Sequence, residues 1–338
     1  MKKAGIIFLI FIILITVSLK VKDLTSPVNL ANDENILIEI KKGASAREIV
    51  DTLYIHDLIK SRLIFRAYIH LTEADQKLQA GYYYLSPSMD MFELADQLKK
   101  GGNAVYKVTI PEGFTVEDVL QRLAEKSKND LDSYVQTIEN NSFDYDFLPD
   151  ERKNVLFNLE GYLYPNTYTI PLGFNAQETL DVLLSSFQDN VKELIETSQL
   201  NDRYDIHQLV TIASLIEREA KFDDEKPVIA SVIYNRLNQD MKLQIDATVQ
   251  YVLEENKERL LYEDLEVDSV YNTYQYKGLP PGPICSPGKA SIEAALNPAD
   301  TDFLFYFALN NGRHIFTESY EEHIQKQREM KNEGLIDG

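Results

Sequence analysis

From Ala4 to Leu19 the chain carries no charge and is strongly apolar, with Lys2 and Lys3 before the run and Lys20 and Lys22 after it. A run of this kind has to leave water, and its length decides how. At a helical rise of about 1.5 Å per residue it falls slightly short of the roughly 20 residues that comfortably cross a bilayer, a deficit that snorkelling lysines and local thinning make up. A secretory signal peptide is the competing reading. Its cleavage site needs small residues in an A-x-A-like pattern, and Thr16-Val17-Ser18-Leu19-Lys20 is a poor version of one. The expectation is an uncleaved transmembrane anchor over residues 1–22. Lysines on both sides orient it weakly, but the short N-terminal tail favours leaving residues 1–3 in the cytoplasm, so that the bulk of the chain faces outward.

That outer part is long enough for one large domain or two modest ones: the whole chain has 338 residues, of which 44% are hydrophobic. Its formal charge of −20 argues against a nucleic-acid or anionic-lipid binder, since either needs a basic face to displace counterions from phosphates. The single cysteine, Cys285, closes no intrachain disulfide. Five scattered histidines and that cysteine offer no metal-ligand spacing, and no glycine-rich phosphate loop is present. Neither a metal nor a cofactor is expected.

Residues 23–35, with Ser26-Pro27 and Asn32-Asp33, hold turn formers and no sustained apolar period, and read as a linker. Ile36 to Ile40 then suits a strand, Gly43 a turn, and Ser45 with Glu48 a capping box that opens a helix. The same order returns at Val108-Thr109-Ile110, Gly113 and Thr115 with Asp118, after which Val119, Leu120 and Leu123 stand where Ile49, Val50 and Leu53 stood. Two copies are too few for a solenoid, and any strand-turn-helix unit explains the likeness equally well. Between them lie a helical stretch at 63–71, a strand at Gly81–Leu85 and a helix at 91–98 closed by Gly101-Gly102. Strand, helix, helix, strand resembles the LysM module, a small glycan-binding fold, through pattern and not through a motif. Tyr82, Tyr83 and Tyr84 suit stacking on sugar rings, yet successive strand residues alternate faces, so at least one serves the core. Beyond 125 the chain is helical up to a block at Leu159–Tyr168, and helical periodicity resumes at 178–199 and 206–222. From 240 to 290 it gives way to loop chemistry, densest at Gly278–Pro283.

Wound at about 100° per residue, Leu209, Ile212, Ala213, Ile216 and Ala220 share one face, with Thr211, Ser214, Arg218 and Lys221 opposite. Glu219 then falls on the apolar side. Glu217 falls toward the polar side, where Lys221 at i+4 makes an ordinary surface ion pair. Desolvation raises a carboxyl pKa, which is what a general acid needs to stay protonated near neutrality, so Glu219 is the better acid. A glutamate on an apolar face can equally be a satisfied core group.

Five ordered blocks bear on that choice: Ala213-Ser214-Leu215-Ile216-Glu217-Arg218-Glu219-Ala220; Val232-Ile233-Tyr234-Asn235-Arg236-Leu237; Met241–Tyr251; Tyr271-Asn272-Thr273-Tyr274 with Gly278–Ile284; and Gly312-Arg313-His314-Ile315-Phe316. Together with Leu159–Tyr168 they resemble the signature blocks of the MltG/YceG-like endolytic murein transglycosylases, over about residues 36–325. One departure is Ile245-Asp246-Ala247-Thr248, where the family more often has a small polar residue followed by Asp-Pro-Thr. The resemblance implies an α+β fold in which a single N-terminal transmembrane helix (1–22) and linker (23–35) lead to a LysM-like domain (36–125). A mixed α/β catalytic domain (126–338) with a single-glutamate glycan cleft follows. It implies that Glu219 is the catalytic acid/base, and that the enzyme cuts nascent peptidoglycan strands to 1,6-anhydro ends, terminating elongation at the outer face of the cell membrane. Peptidoglycan strands, the membrane and peptidoglycan synthases (penicillin-binding proteins) of the elongation or division machinery are the implied partners. Asn235, Gln244, Asp246, Thr248, Tyr251, Tyr271, Asn272, Thr273, Tyr274 and His314 are the implied substrate contacts. For several a scaffold role competes: Asn235 as a backbone cap, Asp246 as a helix N-cap, Tyr271 in the core, His314 hydrogen-bonded within the domain.

Overall fold

The computed structural model describes residues 2–140, 142–148, 155–198, 200, 203–253, 257 and 259–336. It opens with α1 (Lys2–Thr25), whose segment Gly5–Thr25 is long and apolar enough to cross a membrane and buries none of its apolar window within the protein. The helix fits a single-pass anchor, and by length and composition it would serve equally as a signal sequence. It runs past residue 22 into the expected linker. By packing, the chain divides into two compact units, residues 1–106 with 169–174 and residues 107–168 with 175–338. This division falls ahead of the second strand-helix copy, whereas the sequence placed a boundary after it, at 125.

In the first unit β1 (Ile36–Ile40) is followed by α2 (Ala46–Ile55), α3 (Arg62–Leu71), β2 (Gly81–Leu85) and α4 (Met91–Lys100). β1 and β2 pair antiparallel, with Ile36 opposite Leu85 and Ile40 opposite Gly81. Strand alternation then sends Ile38, Ile40, Tyr83 and Leu85 into a core shared with Leu53, Phe65, Leu94 and Leu98. Of the three tyrosines, Tyr83 is the core member. The Ser45–Glu48 capping box forms as the sequence requires, and Asp90 with Glu93 makes another at α4. Residues 29–32 are not slack chain: the Asn29 N–H donates to Pro87 O at 3.0 Å, and the Ser86 hydroxyl to Asn32 O at 3.1 Å.

β3 (Val105–Ile110) and β4 (Asn166–Pro171) pair, and each passes from one unit into the other. The second unit holds α5 (Val116–Lys126), capped by Thr115 and Asp118 as expected, and α6 (Leu131–Asn140). The stretch expected as one helix at 178–199 is α7 (Ala176–Phe187), a π turn over Gln188–Lys192 and α8 (Glu193–Glu196). Next come α9 (Ile206–Glu219), α10 (Lys226–Asn238), α11 (Asp246–Gln250), α12 (Lys289–Leu296), β5 (Phe305–Ala308), β6 (His314–Thr317) and α13 (Tyr320–Asn332). α9 is the central rod. Every residue from Leu209 to Ile216 is buried, Thr211 and Ser214 included, so of the expected polar face only Arg218 and Lys221 are exposed. Their hydroxyls are satisfied inside, on His207 O and Thr211 O, both at 2.7 Å.

Candidate active site

α9 starts at a capping box, Asp205 with Gln208, and ends at Glu219. Periodicity carries on to 222, and no glycine or proline marks the stop. The stop is tertiary: Ala220 turns extended (φ −84°, ψ 120°), and the chain folds through Asp223–Glu225 into α10, with Pro227 in its first turn. The C-terminal end of a helix carries partial negative charge, so a carboxylate on the last turn is disfavoured there.

Glu219 is half-buried. Burial is the main cause that raises its pKa, and the nearby Asp246 carboxylate adds to it; the Tyr306 hydroxyl, His314 and the Ala247 N–H act in the opposite direction. The Tyr306 hydroxyl donates to Glu219 Oε2 at 2.8 Å. Burial and the Glu219 carboxylate hold that phenol far above its usual pKa, so it stays a donor. In the antiparallel β5–β6 hairpin Tyr306 faces Phe316 and Ala308 faces His314, so Tyr306 and His314 emerge on the same side. Their rings meet edge to face at 5.4 Å. His314 is fixed from behind by Glu225, whose carboxylate takes the backbone N–H at 3.1 Å and the ring Nδ1 at 2.9 Å. A carboxylate can only accept here, so Nδ1 carries the proton and Nε2 is the free ring nitrogen of the neutral form. Tyr306 and Glu225 escaped the sequence reading. The Asn310-Asn311-Gly312 run between two apolar runs, with glycine at its left-handed position (φ 84°), is a three-residue hairpin signal that would have placed Tyr306 on the face of His314; nothing local points to Glu225.

Of the expected contacts, Asp246, Tyr274 and His314 gather around Glu219. The Tyr274 hydroxyl donates to Asp246 Oδ1, which leads the short helix α11. Gln244 is exposed beside them and holds a left-handed backbone (φ 50°), uncommon for this residue type and of a kind that clusters at functional sites. The other six are spent on scaffold. Asn235 donates from its amide to Thr301 O (2.7 Å) and Phe303 O (3.0 Å). Thr248 and Thr273 form a buried hydroxyl pair at 2.9 Å. Asn272 is fully buried and donates to Leu265 O and Val267 O, while Tyr271 is enclosed against Tyr251 with ring centroids 5.1 Å apart. The Tyr251 hydroxyl donates to Glu160 at 3.0 Å. The polar groups of Asn235, Thr248, Tyr251, Asn272 and Thr273 are thus engaged within the fold, and Tyr271 is enclosed. Arg236 has the same character: its guanidinium donates to Leu304 O and Leu243 O, both at 2.6 Å, tying β5 to the 242–245 loop.

Two further carboxylates need separate treatment. Glu160 is 2% exposed, receives the Val116 N–H that opens α5, and is pushed by burial up to about 8. Glu217 is no surface partner of Lys221. It accepts from Gly288 N at 3.0 Å and from the Ser291 hydroxyl at 2.6 Å, with the buried Lys226 ammonium at 3.6 Å. A Cβ at Gly288 would lie 2.0 Å from Glu112 Oε1, so a larger residue there would force the Glu112 carboxylate to move. The Gly278–Pro283 loop packs toward the other end of α9. Pro281 O accepts from His207 Nε2 at 2.8 Å in the first turn of α9, about 18 Å along the helix axis from Glu219. Further on the loop is wedged against Gly161 (φ 85°), where a Cβ would stand 2.6 Å from the Pro283 ring. Cys285 follows, enclosed with its sulfur toward Ser214 O. Among the described residues no group of three or more His, Cys, Asp or Glu is placed to hold a metal ion.

The YceG-like family matches residues 38–329. An endolytic murein transglycosylase of Bacillus subtilis (strain 168) is 35% identical, over 92% of this chain and 90% of its own length. One of Streptococcus pneumoniae serotype 2 is 29% identical over 93% of this chain, which spans only 62% of that longer relative. A crystal structure of a YceG-like protein from Listeria monocytogenes superposes with a TM-score of 0.60 at 34% identity, covering 87% of this chain and 99% of that one. Matched along most of its length in sequence and in structure, the chain belongs to the YceG-like family.

Proposed function

We propose that this chain is an endolytic murein transglycosylase, cleaving the bond between N-acetylmuramic acid and N-acetylglucosamine within nascent strands, with Glu219 as its single acid/base. The observation that carries the reading is one half-buried carboxyl, raised in pKa and braced by Tyr306 where the Asp246 and His314 side chains converge. Ordinary glycosidases need a second carboxylate as nucleophile or to activate water. Here the nucleophile is the C6 hydroxyl of the muramic residue itself. Protonated Glu219 gives its proton to the glycosidic oxygen as the C1–O bond breaks. The resulting carboxylate takes the C6 hydroxyl proton as O6 closes on C1, leaving a 1,6-anhydro end and the acid restored. Tyr306 keeps the carboxylate oriented through both transfers. His314 Nε2, Gln244 and Tyr274 are the groups we assign to the sugar's hydroxyl and acetamido functions. The names of the relatives support the substrate class.

Hydrolysis of the same bond is the second reading, and the nearness of Asp246 to Glu219 is what favours it; the enclosed Glu160 is unsuited to activating water. Mass analysis of muropeptides released from uncrosslinked strands decides between them. Anhydro ends support the transglycosylase, and reducing ends with incorporated water refute it. We read the first unit as a LysM-like glycan module, supported by its β-α-α-β order and antiparallel strand pair. We read α1 as an uncleaved anchor with the rest of the chain outside the membrane, where cutting a growing strand beside a peptidoglycan synthase ends its elongation. Strand binding by the purified first unit, and protease accessibility of residues beyond α1 in intact cells, test these two points.

A further inference from the structure

The joint between α1 and the first unit is made of specific bonds. Lys60 Nζ donates to Asp23 O at 3.2 Å and to the Ser26 hydroxyl at 2.8 Å, and lies 3.4 Å from the Asp23 carboxylate. A cation at the last carbonyls of a helix sits where the macrodipole favours it. The Asn29–Pro87 and Ser86–Asn32 bonds fasten the residues that follow. Lys60 itself stands in the compact turn between α2 and α3, closed by Leu58 N to Leu53 O at 2.9 Å.

Three large aliphatic side chains close in sequence to the residues of this joint stand in the open. Leu30, beside Asn29, is 78% exposed; Ile55, at the end of α2, is 69%; Leu63, in the first turn of α3, is 77%. Ile55 and Leu63 flank Lys60 on either side of its turn. The charge-free run ends at Leu19, so Asp23 to Ser26, about 6–10 Å further along at helical rise, lie at headgroup level. Groups bonded to them are held at that level too.

We infer that Leu30, Ile55 and Leu63 form an apolar collar that enters the lipid surface around the point where α1 emerges, giving the first unit a second hold on the membrane. The inference rests on reading α1 as a membrane anchor. The attraction is apolar: aliphatic side chains at the headgroup boundary gain by leaving water. It is not cationic, because Lys60 is engaged in the joint, Arg62 is paired with Asp51 at 2.8 Å, and the chain carries −20. The occupant is therefore lipid of either headgroup charge, zwitterionic included.

The full chain in phosphatidylcholine nanodiscs tests this. Single cysteines placed by L30C, I55C and L63C carry an environment-sensitive fluorophore, while the enclosed Cys285 does not react. I13C reports the anchor. K100C is the water control, since α4 ends beside the Gly81 end of the strand pair and the joint lies at the other, about 16 Å away. Lipids brominated high on the acyl chain should quench labels 30, 55 and 63 with a blue shift in emission, those brominated near the bilayer centre should quench label 13, and aqueous iodide should quench label 100 most. If label 13 is quenched by lipid but the three collar labels respond to iodide as label 100 does, the collar is overturned and the anchor stands. Collar labels shielded from both quenchers mean a protein contact and also overturn it. Failure to quench label 13 removes the anchor reading and the collar with it.

Discussion

Glu217 and Glu219 stand two residues apart at the end of one helix, and replacing them should give opposite losses. Glu217→Ala removes the acceptor of Gly288 N and of the Ser291 hydroxyl, and leaves Lys226, 3% exposed, with Asp223 at 2.9 Å as its remaining close carboxylate. Taking one partner from a buried pair costs about 3–5 kcal/mol, and because Asp223 still neutralises part of the Lys226 charge the lower end applies, about 3 kcal/mol. In a unit of this size that is a fall in Tm of about 6–12 °C. Turnover below the transition should largely survive. Glu219→Gln keeps shape and hydrogen bonding but has no proton to give, so turnover should fall roughly 10²–10⁴-fold. Its stability should not fall. The folded pKa of Glu219 lies above its unfolded value, so its contribution is complete below the unfolded pKa and is lost as pH rises through the folded one; at alkaline pH the glutamine chain should be at least as stable as the parent. Release of anhydro-muropeptides from uncrosslinked strands, with circular dichroism melts alongside, separates the two. A Glu217→Ala chain that is stable but inactive, beside an active Glu219→Gln chain, would refute both assignments.

Tyr306→Phe deletes a hydroxyl that lowers the Glu219 pKa, so the acid should stay protonated to higher pH and the alkaline limb of the rate profile should move upward; a downward shift would contradict the hydrogen bond. Glu160 titrates from 4.5 unfolded to about 8 folded, so stability should decline as pH rises through that window. Glu160→Gln should flatten the decline, read as urea midpoints at about pH 5 and about pH 8, and an unchanged slope would sink the idea. Replacing Pro280 and Pro281 by alanine should lower thermal stability more than glycan affinity, because this part of the loop packs on the first turn of α9 and not at Glu219; the reverse order would place it in the cleft. Removing residues 1–22 keeps Asp23 and Ser26 for Lys60 and should give a soluble, folded chain, checked by gel filtration and melting.

What the sequence revealed depended on how far apart the cooperating residues lie. The capping boxes at Ser45 and Thr115 link positions three apart, and both form as read. The end of α9 was not legible, since no local breaker follows Glu219 and the stop is imposed by the Asp223–Glu225 turn. Helical phase also misjudged Glu217. It presumes one wet face along the whole helix, but from Leu209 to Ile216 the rod is buried on every side, and Glu217 just beyond turns inward to Gly288 and Lys226. Tyr306 meets Glu219 and Glu225 meets His314 across more than eighty residues of chain, beyond the reach of any periodicity. The signature blocks did not separate residues left exposed near Glu219, such as Gln244 and Asp246, from those that hold the loop, such as Asn272 and Thr273.

Enclosure keeps the chain's one thiol, Cys285, quiet toward oxidants. Exchange and oxidation proceed through the thiolate, and burial drives this thiol's pKa well up while no solvent reaches the sulfur. A protein with that single thiol offers no handle for covalent dimers or mixed disulfides in its folded state. Thiol chemistry in this chain should therefore be a report on unfolding alone, whether the medium around it is reducing or fully aerated.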